Sequence, residues 1–191
     1  MITADDLEKM ALHMPPQRAA LFAPLLTAAM DEFEINNGAR ESAFLAQVLH
    51  ESGQLYYLRE LASGQAYEGR VDLGNTSPGD GPRYKGRGLL QITGRANYAA
   101  VGAALSLDAL DQPELLEQPE AAARSAGWFW ITGAGLRLSR AAKARLGDLT
   151  NLNDVADKGD FVGITLAING GTNGLASRQA YYERAQAVLG S

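Results

Sequence analysis

The chain has 191 residues, with 17 Lys and Arg against 22 Asp and Glu, a formal charge of −5 and no cysteine. The lack of cysteine excludes disulfides, thiol nucleophiles and thiolate-bound metals. A net acidic chain argues against a nucleic-acid partner, whose affinity would rest on basic side chains. Hydrophobic residues at 46% and charged residues at 20% fit a chain that buries a core rather than a disordered one.

Only two histidines are present, His13 and His50, so a three-histidine zinc site is impossible. Four residues after His50, where a zinc-protease helix needs its second histidine, stands Gln54. No nucleophile elbow, phosphate loop or dinucleotide fingerprint occurs. Any chemistry falls to carboxylates, hydroxyls and amides, with no cofactor and no metal. No stretch approaches the roughly 18–20 apolar residues that cross a bilayer. The first residues also lack a basic-then-apolar leader, so the expectation is a protein made in the cytoplasm without a signal peptide.

In chain order, Thr3 and Asp6 read as a capping box that opens a first helix, ended by Pro15-Pro16. A second helix is predicted over residues 17 to 34, with Pro24 as a kink or break. After the turn Asn36-Asn37-Gly38, a third helix runs from about Ala39 to Ser52. Its apolar stripe is Phe44, Leu45, Val48 and Leu49, and Gly53 ends it. Residues 64 to 88 hold seven glycines, with Asp72, Asn75, Asp80, Pro78 and Pro82 among them. That is turn chemistry, and a loop so long in a compact domain is usually functional. Tyr67, Val71, Leu73 and Tyr84 favour an ordered, site-forming loop. From Leu90 the pattern alternates, so a short extended segment would bury Leu90 and Ile92 and turn Gln91 and Thr93 to one other face. Helices resume over about 95–104, 119–132, 159–168 and 175–189, and Asp108 to Gln118 is a proline-containing connection or short helix. The expected architecture is mainly α, a single catalytic domain of two lobes over residues 1–191, with a Gly-rich insertion at about 61–94 lining a cleft.

Glu51 ends the third helix and Glu60 follows nine residues on. On one unbroken helix, nine steps of 100° would put the two carboxylates on opposite faces, about 13–14 Å apart along the axis. Cooperation needs the chain to turn between them, and Gly53 supplies the break. Two carboxylates at one cleft suit glycosidic cleavage, one protonated and one ionised. The apolar stripe before Glu51 suits it to the acid role by desolvation, and the more polar surroundings of Glu60 suit a base. Glu68, in the loop, is the alternative base. His50 reads as a structural hydrogen-bonding residue.

Four motifs occur in order: His50-Glu51-Ser52-Gly53, then Tyr67-Glu68-Gly69-Arg70, then the run Gly86-Arg87-Gly88-Leu89-Leu90-Gln91-Ile92-Thr93-Gly94-Arg95-Ala96-Asn97-Tyr98, then Ile168-Asn169-Gly170-Gly171. Over roughly residues 39 to 185 the chain resembles glycoside hydrolase family 19, which holds chitinases and the lysozyme-like endolysins of phages and prophages. The resemblance implies a lysozyme-like helical fold and an inverting mechanism without cofactor. It matches Glu51 to the general acid, Glu60 to the general base and Thr93 to the hydroxyl that holds the attacking water. Gln91, Asn97 and Asn169 match residues that bind sugar N-acetyl and hydroxyl groups. Tyr67 and Arg178 are grouped with them, Arg178 as a support for the carboxylates. The lack of cysteine and of a leader departs from the plant chitinases and suits the endolysin branch. The function this implies is a peptidoglycan hydrolase cutting between N-acetylmuramic acid and N-acetylglucosamine for host lysis. It would be a monomer acting on glycan strands, released by a separate membrane-pore protein. A chitinase is the alternative, and a non-catalytic wall-binding module a further one.

Overall fold

A computed structural model of the chain describes residues 1–133, 140–147 and 149–190. Helix α1 (Ala4–Met10) opens on the capping box. The Thr3 hydroxyl accepts from the Asp6 N–H at 3.2 Å and the Asp6 carboxylate accepts from the Thr3 N–H at 2.9 Å, which satisfies two otherwise orphaned donors. Helix α2 (Pro16–Glu32) runs through Pro24 without a break. Pro24 lies on the exposed face, where water can bond the carbonyl that the missing N–H leaves free.

Helix α3 (Gly38–Glu51) starts at Asn37, whose side chain accepts from the Arg40 N–H at 3.0 Å. All eight residues from Ser42 to Leu49 are buried, so the helix is covered all round rather than along the expected stripe. Its principal neighbour is the last helix, and it also meets the two before that. Past Ser52 the chain reverses through three successive left-handed residues, Gly53, Gln54 and Leu55, with φ of 57°, 61° and 67°. Only the first is free of a Cβ penalty. The other two are held by the bonds from Gln54 N–H to the Leu49 carbonyl (2.7 Å) and from Leu55 N–H to the Ser52 hydroxyl (2.8 Å), and by full burial of Leu55.

The Gly-rich stretch is ordered. It carries 3₁₀ turns at Gln65–Tyr67 and Val71–Leu73 and the short helix α4 (Asp80–Arg83). Two buried polar residues pin it to α5 (Arg95–Leu105). Asn75 donates to the Tyr67 carbonyl (2.9 Å) and accepts from the Arg95 N–H (2.8 Å). Asp80 accepts from the Arg95 side chain at 2.6 and 2.9 Å and from the Ser77 N–H at 3.0 Å, and these bonds hold its carboxyl below the usual carboxylate range. The short β segment consists of single antiparallel bridges, Arg59 with Arg87 and Arg87 with Ile92. Leu90 and Ile92 are buried and Gln91 and Thr93 half-buried, in the alternation expected. The backbone itself is a tight turn rather than an extended run, because Gln91 takes φ 54° and its N–H bonds the Gly88 carbonyl.

A 3₁₀ turn at Pro113–Glu117 leads into α6 (Pro119–Thr132). Then come α7 (Arg140–Leu146), α8 (Leu152–Ala156), α9 (Phe161–Asn169) and α10 (Leu175–Leu189). The protein is mainly helical, with a lysozyme-like fold. At its centre the fully buried Trp130 meets Phe44 edge-on, ring centroids 5.4 Å apart. Its indole N–H donates to Asn153 Oδ1 (2.9 Å), and Asn153 Nδ2 donates to the Phe33 carbonyl (3.1 Å). One indole so ties α6, α8 and the end of α2. Among the described residues no helix is long and apolar enough to cross a membrane.

Candidate active site

A cavity of about 220 Å³ opens between the helical core and the Gly-rich loop. Glu51, Phe129, Ile168 and Asn169 line it from α3, α6 and α9, and Tyr67, Leu73, Leu90, Gln91, Ile92, Thr93 and Asn97 line it from the loop side. Of the residues singled out in the sequence, Glu51, Tyr67, Gln91, Thr93, Asn97 and Asn169 thus meet around one space. The apolar wall of Leu73, Leu90, Ile92, Phe129 and Ile168 was not foreseen, because from sequence such residues are indistinguishable from core.

Glu51 sits at the last turn of α3 with its side chain 23% exposed. Its Oε1 accepts from the Arg178 guanidinium. Arg178 is 1% exposed and lies behind the carboxylate, not in the cavity wall. Buried behind Glu51, it stands where a support of that carboxylate would, the role the resemblance implies, and not among the groups that line the cavity. Among the described residues Oε2 of Glu51 has no hydrogen-bond partner. On this side of Glu51 stands the buried Arg178 guanidinium, and the apolar residues line the cavity that Glu51 also lines.

Glu60 is half-buried and does not line the cavity. It stands directly behind the wall. Its Oε1 accepts from the Tyr67 hydroxyl (3.1 Å) and its Oε2 from the Gly86 N–H (3.0 Å), while its own N–H donates to the Gly86 carbonyl (2.8 Å). Gly86 has no room for a side chain: a Cβ there would lie 2.6 Å from Gln91 Oε1 and 3.2 Å from Glu60 Oε2. The next residue, Arg87, is 8% exposed and anchors the segment to Glu117 (2.7 Å), the Tyr98 hydroxyl (2.9 Å) and the Arg83 carbonyl (2.8 Å). Burial raises the Tyr98 hydroxyl well above its ordinary range, so it stays a neutral partner.

Glu68 is employed differently. Its oxygens accept the N–H groups of Gly79 (2.6 Å) and Gly81 (2.8 Å), closing the loop on itself, and it does not reach the cavity. In the wall, the Thr93 hydroxyl donates to the Gln91 carbonyl (2.9 Å), which leaves its lone pairs for another donor. Asn97 Nδ2 donates to the Thr93 carbonyl (2.7 Å) and Gln91 Nε2 to the Gly88 carbonyl (2.8 Å), so both amides are held in place by their N–H ends. Asn169 is the last residue of α9, exposed beside the left-handed Gly170.

His50 stands outside the cavity, its Nδ1 3.1 Å from the Ser177 hydroxyl and its ring against Gly174 at the start of α10. Burial, with Arg178 adding to it, pushes its pKa below the ordinary 6.5. Folding thus favours the neutral ring. That contribution is complete above pH 6.5 and is lost as pH falls through the lowered folded value. Thermal melts from pH 7.5 to 5 should show wild type losing Tm faster than His50→Gln below about pH 6.5. Parallel curves would contradict this.

A groove with a carboxylate, a hydroxyl, amides and apolar patches has the make-up of a sugar cleft. The chain belongs to glycoside hydrolase family 19, whose model, described as chitinase class I, matches residues 27–190. It is similar to a glycosyl hydrolase family 19 domain-containing protein of Haemophilus influenzae, 26% identical over 188 residues, covering 82% of this chain and 84% of that protein. An endochitinase of Arabidopsis thaliana is 34% identical over 166 residues, 81% of this chain but 51% of that protein. The chain thus spans about half of that plant relative. A solved bacterial family 19 chitinase superposes with a TM-score of 0.72 at 26% identity, covering 99% of this chain and 95% of that one. Chitinase C of Streptomyces griseus shares the fold, with a TM-score of 0.71 over all of this chain at 24% identity. The protein is accordingly a chitinase-like glycoside hydrolase.

Proposed function

We propose that the protein hydrolyses the β-1,4 bond of an N-acetylhexosamine polymer with inversion, Glu51 acting as general acid and Glu60 as general base. The observation that carries this reading is the shared cavity. Glu51 faces it directly, and Glu60 is joined to it by the Tyr67 hydroxyl in the opposite wall. Protonated Glu51 gives its proton to the leaving glycosidic oxygen as the bond to C1 breaks. A water held by the Thr93 hydroxyl gives its proton to Glu60, and its oxygen attacks C1 from the opposite face. Tyr67 then serves as the movable link between Glu60 and the cavity. Gln91, Asn97 and Asn169 offer the amide groups that N-acetyl and hydroxyl substituents need.

Glu60 is favoured over Glu68 because it bonds Tyr67, which lines the cavity, whereas both oxygens of Glu68 are bonded to the N–H groups of Gly79 and Gly81, which do not. Glu60→Gln should lower turnover by roughly 10²-fold or more with the melting temperature little changed, as for removal of a general base. Glu68→Gln should lower the melting temperature and leave the turnover of folded protein within a few-fold. The reverse pattern would move the base to Glu68.

The substrate we propose is peptidoglycan, cut between N-acetylmuramic acid and N-acetylglucosamine, with release to the wall through a separate membrane pore. A cysteine-free chain suits a protein stored in a reducing compartment. A second reading, chitin, is favoured by the names of several relatives, an endochitinase and two chitinases. Digestion of purified peptidoglycan with mass spectrometry of the new ends separates them. New reducing muramic-acid ends support the first; intact walls with soluble N-acetylglucosamine oligomers released from chitin support the second. Binding of both polymers without turnover would leave only a wall-binding module.

A further inference from the structure

Behind Glu51 lies a chain of buried polar groups that neither the motifs nor the cavity includes. Gln47 is one turn earlier on α3, on the same side as Glu51, and is fully buried. Its Oε1 accepts from the Arg178 guanidinium, and its Nε2 donates to the hydroxyl of Thr165 on α9 at 3.0 Å. Thr165 is also fully buried. Arg178 Nε completes its contacts at the Asn173 carbonyl, 3.4 Å away in the turn before α10.

We infer that Gln47 is a positioning residue that, through Arg178, fixes where the Glu51 carboxylate points, and that Thr165 fixes the sense of the Gln47 amide. This rests on Glu51 being the acid. The two ends of an amide differ: one oxygen accepts and one nitrogen donates. A guanidinium only donates, so the oxygen must face Arg178. The nitrogen then needs an acceptor, and the Thr165 hydroxyl is that acceptor. The reversed amide would set N–H against N–H among fully buried side chains. Thr165 therefore orients Gln47, Gln47 orients Arg178, and Arg178 holds Oε1 of Glu51, leaving Oε2 for the substrate.

A neutral amide is the right group for this task. It gives the arginine a strong acceptor without adding a second negative charge, so among the described residues Glu51 is the one carboxylate paired with Arg178. A carboxylate at position 47 would compete for the guanidinium. An apolar residue there would leave one arm of a buried guanidinium without a partner, and the arm would swing toward whatever oxygen it could reach. Gln47 does not line the cavity, so substrate affinity should not depend on it.

The test is the steady-state kinetics of Gln47→Leu, Thr165→Val and Thr165→Ser, each with its melting curve, on the polymer that wild type cuts. Gln47→Leu should lose roughly 10- to 100-fold in kcat, the scale of a misplaced catalytic group, with KM within about twofold. Thr165→Val should lose less, and Thr165→Ser, which keeps the hydroxyl, should recover most of it. In a Glu51→Gln background the Gln47→Leu effect should vanish, because a residue acting through Glu51 has nothing left to position. If Gln47→Leu does not fold, the Thr165 pair carries the same test. Unchanged kcat in folded variants, or a loss that persists undiminished in the Glu51→Gln background, would overturn the inference. Full activity of Glu51→Gln would instead defeat the acid assignment on which it stands.

Discussion

Glu51→Gln should reduce kcat by 10²-fold or more while leaving the fold and KM near wild type. The amide keeps the size of the side chain and an oxygen that can still accept from Arg178, so the ion pair is replaced by a hydrogen bond rather than by a hole. It cannot supply a proton to a leaving alkoxide, and general acid catalysis contributes about 10²- to 10⁴-fold. The remaining rate would come from binding and from activation of water by Glu60. Substrates with leaving groups that need no proton should lose far less than the natural polymer, which separates loss of the acid from damage to the cleft. Retention of most activity on the polymer would remove Glu51 from the acid role.

Trp130→Ala should be the most destabilising of the single changes considered, at about 3–5 kcal/mol for truncating a fully buried aromatic. For a chain of this size that corresponds to a melting temperature lowered by roughly 6–20 °C. Three things are lost together: packing volume at the centre, the edge-on contact with Phe44 on α3, and the partner of Asn153 Oδ1. Trp130→Phe should recover most of the volume but leave the buried Asn153 oxygen unsatisfied, and so fall between. Because Phe129 lines the cavity and Phe44 belongs to the helix that carries Glu51, the alanine variant should also lose activity at temperatures where it remains folded. A chemical denaturation series on the three proteins gives the ordering, and equal stability of all three would contradict the account of the core.

What could be read from the sequence was what depends on near neighbours. The Thr3–Asp6 capping box, the start of α3 after Asn37 and the helix end at Gly53 are settled within a few residues. So is the alternation that buries Leu90 and Ile92. The short α8 has too few residues to display a period, and it escaped notice. Pro24 misled because its tolerance depends on facing solvent, which is a property of the packed molecule. The reversal after Glu51 was assigned to one glycine, yet Gln54 and Leu55 share the left-handed geometry, held by Ser52 and by burial of a leucine.

The site was legible as a set of polar residues but not as an arrangement. Spacing alone gave no way to see that Glu60 stands one side chain behind the wall, joined to the cavity by Tyr67. Gln47 and Thr165 were hidden for the opposite reason: a buried polar network looks, in a sequence, like a scatter of ordinary surface residues. One signal was available for Gln47. It is a polar residue within the longest apolar stretch of α3, four before Glu51, where only a satisfied hydrogen-bonding role makes burial tolerable.

The central claim is that one water, activated on the side of the cleft away from Glu51, attacks the sugar directly. Proton NMR of the first reducing ends formed on a defined N-acetylhexosamine oligomer, recorded before mutarotation, tests this most directly. The account predicts the α-anomer as the initial product of the β-1,4 bond. An initial β-anomer would mean that the carboxylates work through a retained configuration, and the division of labour between Glu51 and Glu60 would be wrong.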